Sequence, residues 1–111
     1  MILYHNPRCS KSRQALALLE QQAQPITVRL YMSEPISKSE LLELLSALDL
    51  SARELVRSNE SGFKTAGLQQ ASSEELIEAM LQDPRLIERP IFKVGTRAVI
   101  GRPPERVLEL L

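Results

Sequence analysis

The stretch Ile2-Leu3-Tyr4-His5-Asn6-Pro7-Arg8-Cys9-Ser10-Lys11-Ser12-Arg13 decides how the chain is read. Ile2-Leu3-Tyr4 predicts a short buried strand. Residues from Ser10 to Gln22 predict a helix with Ala15, Leu16, Leu18 and Leu19 on its apolar face. Ile26 to Leu30, rich in β-branched and apolar residues, predicts a second strand. Two strands joined through a helix of about a dozen residues make a βαβ unit, so they should lie parallel. Cys9 then falls between the first strand and the start of the first helix.

Three helix starts follow, each of Ser-x-x-Glu form: Ser37 with Glu40, Ser51 with Glu54 and Ser72 with Glu75. Leu41, Leu44, Leu45 and Leu48 share a face of the first. Ile77, Met80 and Leu81 are expected inward on the third, which ends at Asp83-Pro84. Residues 59–67, with Gly62 and Gly67, read as a loop. Ile91 to Val94 and Ala98 to Ile100 flank Gly95-Thr96 and predict a β-hairpin. Pro103-Pro104 can open a final helix docked by Val107, Leu108 and Leu111. The expected class is therefore α/β: a thioredoxin-like fold with a four-stranded mixed sheet, βαβ then ββα, and a helical insertion between the halves. One domain is expected over residues 1–111.

The 111 residues carry 14 Lys+Arg and 14 Asp+Glu, with 43% hydrophobic content. No broad basic field invites nucleic acid. No apolar run approaches the ~18 residues of a membrane span, and the N-terminus does not read as a signal peptide. These features predict a cytoplasmic protein that binds neither nucleic acid nor membrane, and the absence of a sustained heptad or broad apolar stripe beyond core needs predicts a monomer. With one cysteine and one histidine, a Cys/His metal site would lack ligands, so no metal and no tightly bound cofactor are expected. Ten of the cations are Arg, whose planar fork suits oxyanions. Genome bias would produce the same excess.

Cys9 is either a small buried hydrophobe or a reactive thiolate. Its neighbours, Arg8, Lys11 and Arg13, favour the second reading. The unpaired N–H groups and dipole of the following helix stabilise negative charge there. Such settings bring a Cys pKa from ~8.5 into the range ~3.5–7.5. His5 is either a further tuning charge, if protonated, or part of the turn. The Ser12 hydroxyl either bonds the Cys9 thiolate or serves the helix start. A covalent adduct on Cys9 has no second cysteine to resolve it, so the resolving thiol must come from outside, with glutathione and then a glutaredoxin the natural source.

His5 to Arg13, a His-Asn-Pro-x-Cys-x-x-Ser-Arg stretch, resembles the active-site loop of the ArsC family of glutaredoxin-linked arsenate reductases. Three further motifs match it in order and spacing: Glu54-Leu55-Val56-Arg57-Ser58-Asn59, Glu88-Arg89-Pro90-Ile91 and Gly101-Arg102-Pro103-Pro104-Glu105. The resemblance covers essentially the whole chain and is to the short, chromosomal ArsC-like group. It implies that Cys9 attacks arsenate and that Arg57, Arg89 and Arg102 bind the oxyanion. It implies a cis Pro90 facing the nucleophile. It also implies glutathione as co-substrate, with glutaredoxin as partner, in releasing arsenite. Taken one at a time, each arginine could equally be a surface ion-pair residue. Two other readings share the fold. A regulator of the Spx type, binding RNA polymerase, usually carries a Cys-x-x-Cys that is absent here. A monothiol glutathione-dependent oxidoreductase would need Cys9 but not three arginines.

Overall fold

The computed structural model describes all residues, Met1–Leu111, and the chain divides into two compact units. The first comprises Met1–Glu34 and Arg89–Leu111, the second Pro35–Glu88.

The first unit holds strands β1 (Ile2–Tyr4), β2 (Thr27–Arg29), β3 (Ile91–Val94) and β4 (Arg97–Ile100), with helix α1 (Ser10–Glu20) between β1 and β2. The sheet order is β2-β1-β3-β4. β1 runs parallel to β2 and antiparallel to β3, and β3 pairs antiparallel with β4. The mixed sheet and thioredoxin-like order match the expectation. The central strands are buried on both faces: Leu3, Tyr4, Ile91 and Phe92 are each 2% exposed or less. Such strands read as continuous apolar runs. Leu3 opposes Phe92 across the β1–β3 ladder, and the pair forms a core with Ala15 and Leu19 of α1 and with Val107. β2 lies at the sheet edge, where Val28 is exposed.

The hairpin turns at Gly95, whose φ of +62° suits a residue without Cβ. The last segment differs from the expected helix. Pro104–Leu110 winds as a 3-10 helix, with Val107 fully buried. Leu111 does not dock. It is 46% exposed, because it lies beyond the last turn that faces the core.

The second unit holds α2 (Lys38–Leu48), α3 (Ala52–Leu55), α4 (Ser61–Thr65) and α5 (Ser73–Gln82). The capping serines behave as read. Ser37 Oγ accepts the Glu40 N–H, and full reciprocal boxes form at Ser51/Glu54 and Ser72/Glu75. α5 packs on α2 and α3. Leu41, Leu44, Leu55, Leu76 and Met80 are 1% exposed or less. Leu76, not Leu81, completes the inner face of α5, since positions 76, 77 and 80 lie on one side of a 3.6-residue helix. The segment expected as a loop forms α4, because Phe63, at 5% exposure, winds inward within it. No helix in either unit is long and apolar enough to cross a membrane.

Candidate active site around Cys9

Cys9 ends the β1–α1 turn and occupies the N-cap position of α1. The turn is held by a short sequence of polar contacts. The Asn6 carbonyl accepts the Cys9 N–H at 3.0 Å, and the Asn6 side-chain oxygen accepts the Arg8 N–H at 3.0 Å. Asn-Pro dipeptides favour such self-bonded turns. Arg13 grips the turn from the helix side: its Nη1 donates to the Pro7 carbonyl at 2.8 Å. Its backbone N–H donates to the Cys9 carbonyl at 3.0 Å. Asn6 and this clamping use of Arg13 are roles that sequence reasoning missed. The Asn-Pro pair was the available signal for the first.

Ser12 is fully buried, and its hydroxyl does not serve the thiol. Ser12 Oγ accepts the Asn6 N–H at 3.0 Å and lies 2.7 Å from His5 Nδ1. With one lone pair taken by Asn6, the hydroxyl proton is free to go to Nδ1, which fits a neutral imidazole. His5 is 5% exposed. Burial, and then the Arg13 charge, push its pKa below the ordinary histidine value, with Glu20 partly opposing. Burial and the Arg13 charge thus favour a neutral His5 ring bonded within the turn over a cation that tunes the thiol. A buried charge next to Arg13 would be costly.

Cys9 is 8% exposed. Burial pushes its pKa up. The Ser12 N–H, the Arg89 charge, the Lys11 N–H and an Arg89 hydrogen bond together outweigh this and bring it below the ordinary value. As a neutral thiol Cys9 closes no regular cap bond. As a thiolate it is the acceptor these two first-turn N–H groups lack. It is thus the backbone of Ser12, rather than its hydroxyl, that acts on Cys9.

Two of the three expected arginines converge on the sulfur. Arg89, in the Arg89–Pro90 cis pair before β3, supplies the charge and hydrogen bond just described. Arg102, after β4, places Nη2 at 3.7 Å from Sγ. The two are tied together, because Arg102 Nε donates to the Arg89 carbonyl at 2.8 Å. Arg102 sits where it does through Gly101. The Gly101 N–H donates to the Pro90 carbonyl at 2.8 Å, and a Cβ there would lie 2.9 Å from Pro90 Cγ and 3.0 Å from Val107 Cγ1. The Arg102–Pro103 bond is also cis, which the sequence reading did not anticipate. Arg57 belongs to the second unit. Its guanidinium lies 3.2 Å from Glu60 and 3.6 Å from Glu88, and Nη1 donates to the Arg85 carbonyl at 3.0 Å.

Nowhere do three or more His, Cys, Asp or Glu side chains gather as a metal would require. What the first unit holds is a thiol at a helix start, its pKa lowered, with the Arg89 and Arg102 guanidinium groups beside it. That defines a thioredoxin-like thiol site adapted to an anion.

Comparison with known proteins makes the assignment specific. The ArsC family model matches residues 4–110. The arsenate reductase of Haemophilus influenzae is 44% identical over 115 residues, covering 100% of this chain and 98% of its own. The uncharacterized protein YfgD of Escherichia coli is 46% identical, covering 98% and 94%. Among solved structures, an arsenate reductase from Vibrio cholerae superposes with a TM-score of 0.94 at 44% identity, covering 99% of this chain and 96% of that one. A putative arsenate reductase from Yersinia pestis gives 0.92 at 50%, covering 97% of each. The chain belongs to the ArsC family.

Proposed function

We propose that this protein is an arsenate reductase, an oxidoreductase whose nucleophile is Cys9. The observation that carries the reading is the Cys9 sulfur, its pKa lowered, with Arg89 and Arg102 both directed at it. Thiolate and arsenate are both anions, and their approach needs compensating charge. Guanidinium forks supply bidentate contacts to an oxyanion and stabilise charge that develops as the bond forms. Arg57 joins them on the strength of the family resemblance.

The Cys9 thiolate attacks arsenic. An S–As bond forms, an As–O bond breaks, and the oxygen leaves as water after taking up protons from solvent. An external thiolate, glutathione, then attacks Cys9 Sγ. The S–S bond forms and the S–As bond breaks with its electron pair left on arsenic, which passes from As(V) to As(III) and departs as arsenite. Glutaredoxin attacks the glutathione sulfur of the resulting mixed disulfide and returns the Cys9 thiolate. The lone cysteine supports an external thiol, and a thiol-rich compartment, the cytoplasm, suits this cycle. Relatives named as arsenate reductases favour the enzyme over an RNA-polymerase-binding regulator.

The test is arsenite release from arsenate with glutathione and glutaredoxin present. Turnover is expected. A protein that gives none, yet reduces ordinary mixed disulfides well, is a monothiol oxidoreductase instead.

A further inference from the structure

Arg57 is tied down at its backbone and at one edge of its side chain. Its N–H donates to the Leu86 carbonyl at 2.7 Å, and the Glu88 N–H donates to the Leu55 carbonyl at 3.1 Å, on either side of a single bridge between Val56 and Ile87. Nη1 donates to the Arg85 carbonyl at 3.0 Å and lies 3.2 Å from Glu60 Oε2. Both of these anchors are themselves held. Glu60 Oε1 accepts the Ser61 hydroxyl at 3.3 Å, and the Glu60 carboxylate caps no helix N–H. The Arg85 segment is fixed by Asp83, which accepts the Arg85 N–H at 3.2 Å and its side-chain Nε and Nη2 at 2.9 Å each.

The other edge of the Arg57 guanidinium is open. Nε and Nη2 direct hydrogens to the same side and form the fork that suits a carboxylate or a tetrahedral oxyanion. Nε is buried without a hydrogen-bond partner, and Nη2 has none either. Glu88 Oε1 stands 3.6 Å from Nε, near enough for charge attraction and too far for a hydrogen bond. A buried donor without an acceptor is costly, so the open fork calls for a reason. Two carboxylates thus draw on one guanidinium from different edges, and Glu60 is the nearer.

Building on the arsenate reductase reading, which gives Arg57 its oxyanion role, we propose that Glu60 is a positioning residue for the substrate: by holding Arg57 at Nη1, it keeps the Nε–Nη2 fork from closing on Glu88. Without Glu60 the guanidinium has Glu88 as its one carboxylate neighbour. A closer approach of ~0.7 Å would turn the Nε contact into a hydrogen bond of ordinary length. A fork filled by a carboxylate of the chain cannot take an arsenate oxygen. Glu60 therefore acts on the substrate in two opposite ways. Its charge repels an approaching anion, whereas its hold on Nη1 keeps the fork available. Glutamine in its place keeps an oxygen for Nη1 and drops the charge. Alanine drops both.

Protection of Cys9 from iodoacetamide by arsenate, with no external thiol present, measures oxyanion binding apart from turnover. The arsenate concentration that halves the alkylation rate should rise about threefold in Glu60→Ala, as expected for the loss of one ion-pair contact. Glu60→Gln should leave it unchanged or lower it. Adding Glu88→Gln to Glu60→Ala should return it to the parent value or below, because the competing carboxylate is gone. In an Arg57→Ala background, Glu60→Ala should change nothing, since the residue it acts through is missing. The proposal is overturned if Glu60→Ala binds arsenate as well as the parent does or better, which would make Glu60 a repelling charge and no more. It is equally overturned if the loss persists after Glu88→Gln, or recurs without Arg57, which would make Glu60 a part of the fold alone. A parent protein that arsenate does not protect sinks the arsenate reading and this inference together. That result appears before any variant is made, so it is distinct from a failure of the variants.

Discussion

The arginine beside Cys9 and the one expected to join it from the second unit are held in different ways: Arg102 donates to a main-chain carbonyl, whereas Arg57 lies between two carboxylates. In the second unit, with five Lys/Arg against ten Asp/Glu, Lys38 meets Glu74 and Glu78, Arg85 meets Asp83 and Arg57 lies between Glu60 and Glu88, while Arg53 donates to the Gln69 and Ala71 carbonyls. In the first unit, with nine Lys/Arg against four Asp/Glu, Arg106 pairs with Glu109, but Arg13 and Arg102 donate to main-chain carbonyls, which orients them without cancelling their charge. A guanidinium bound to a carbonyl remains a net positive group, whereas one bound to a carboxylate does not. Arg102, held by a carbonyl, therefore keeps its positive charge beside the Cys9 sulfur in a chain of zero net charge.

The largest effect expected is the loss of the nucleophile. Cys9→Ser should lower arsenite release by about 10³-fold or more, leaving the circular-dichroism spectrum unchanged. Arg89→Lys and Arg102→Lys come next, at about ten- to hundredfold in kcat/KM each, because charge stays while the fork is lost. Arg89→Ala should in addition raise the Cys9 pKa, read from the pH dependence of alkylation. Arg57→Lys should cost only a few-fold, since its guanidinium is already engaged by two carboxylates. Equal losses for all three arginines would break the contrast between carbonyl-held and carboxylate-held cations.

How much of this could be read from sequence depended on whether the signal was local. Capping serines at Ser51 and Ser72 act on residues three positions away, and both formed as expected. The apolar runs of the central strands and the Gly95 turn were equally local. Cys9 was identified through its position at a helix start, which is also local. The failures involved choices between partners. Nothing in the spacing says whether the Ser12 hydroxyl turns to Cys9 or to His5, because both lie within reach of a first-turn side chain. His5 looked like a possible cation because burial cannot be seen in a single polar letter. The 59–67 segment looked like a loop because its two glycines outweighed Phe63, whose burial against the rest of its unit decides the matter.

Stability measurements sharpen the contrast from the structural side. Ser12→Ala strips the partner from the Asn6 N–H and from His5 Nδ1, both inside the β1–α1 turn. A loss of about 1–3 kcal/mol is expected by urea unfolding, the cost of stranding buried polar groups. The Cys9 pKa should rise with it, as the Ser12 N–H is displaced. In the other unit, Ser51→Ala removes a helix cap and should cost about 1 kcal/mol with no change in the Cys9 pKa. A shift of that pKa by Ser51→Ala would show that the thiol does not depend on its own turn alone.

The smallest effect separates the two readings of His5. Its pKa in the folded chain lies below the ordinary value, through burial and the Arg13 charge. The unfolded chain, with a histidine pKa near ~6.5, therefore binds the proton first as pH falls. Stability associated with His5 is fully present above about pH 6.5 and is lost as pH drops through the folded value. His5→Gln, which keeps an amide acceptor for the Ser12 hydroxyl but cannot titrate in this range, should weaken the turn slightly at neutral pH. It should also flatten the decline in stability below about pH 6.5 relative to the parent. If His5 were instead a cation supporting the thiolate, its folded pKa would be raised. The parent would then gain stability on acidification through that range, and the Gln variant would lack the gain. Urea midpoints for the two proteins at several pH values between neutral and mildly acid distinguish these opposite signs without reference to activity.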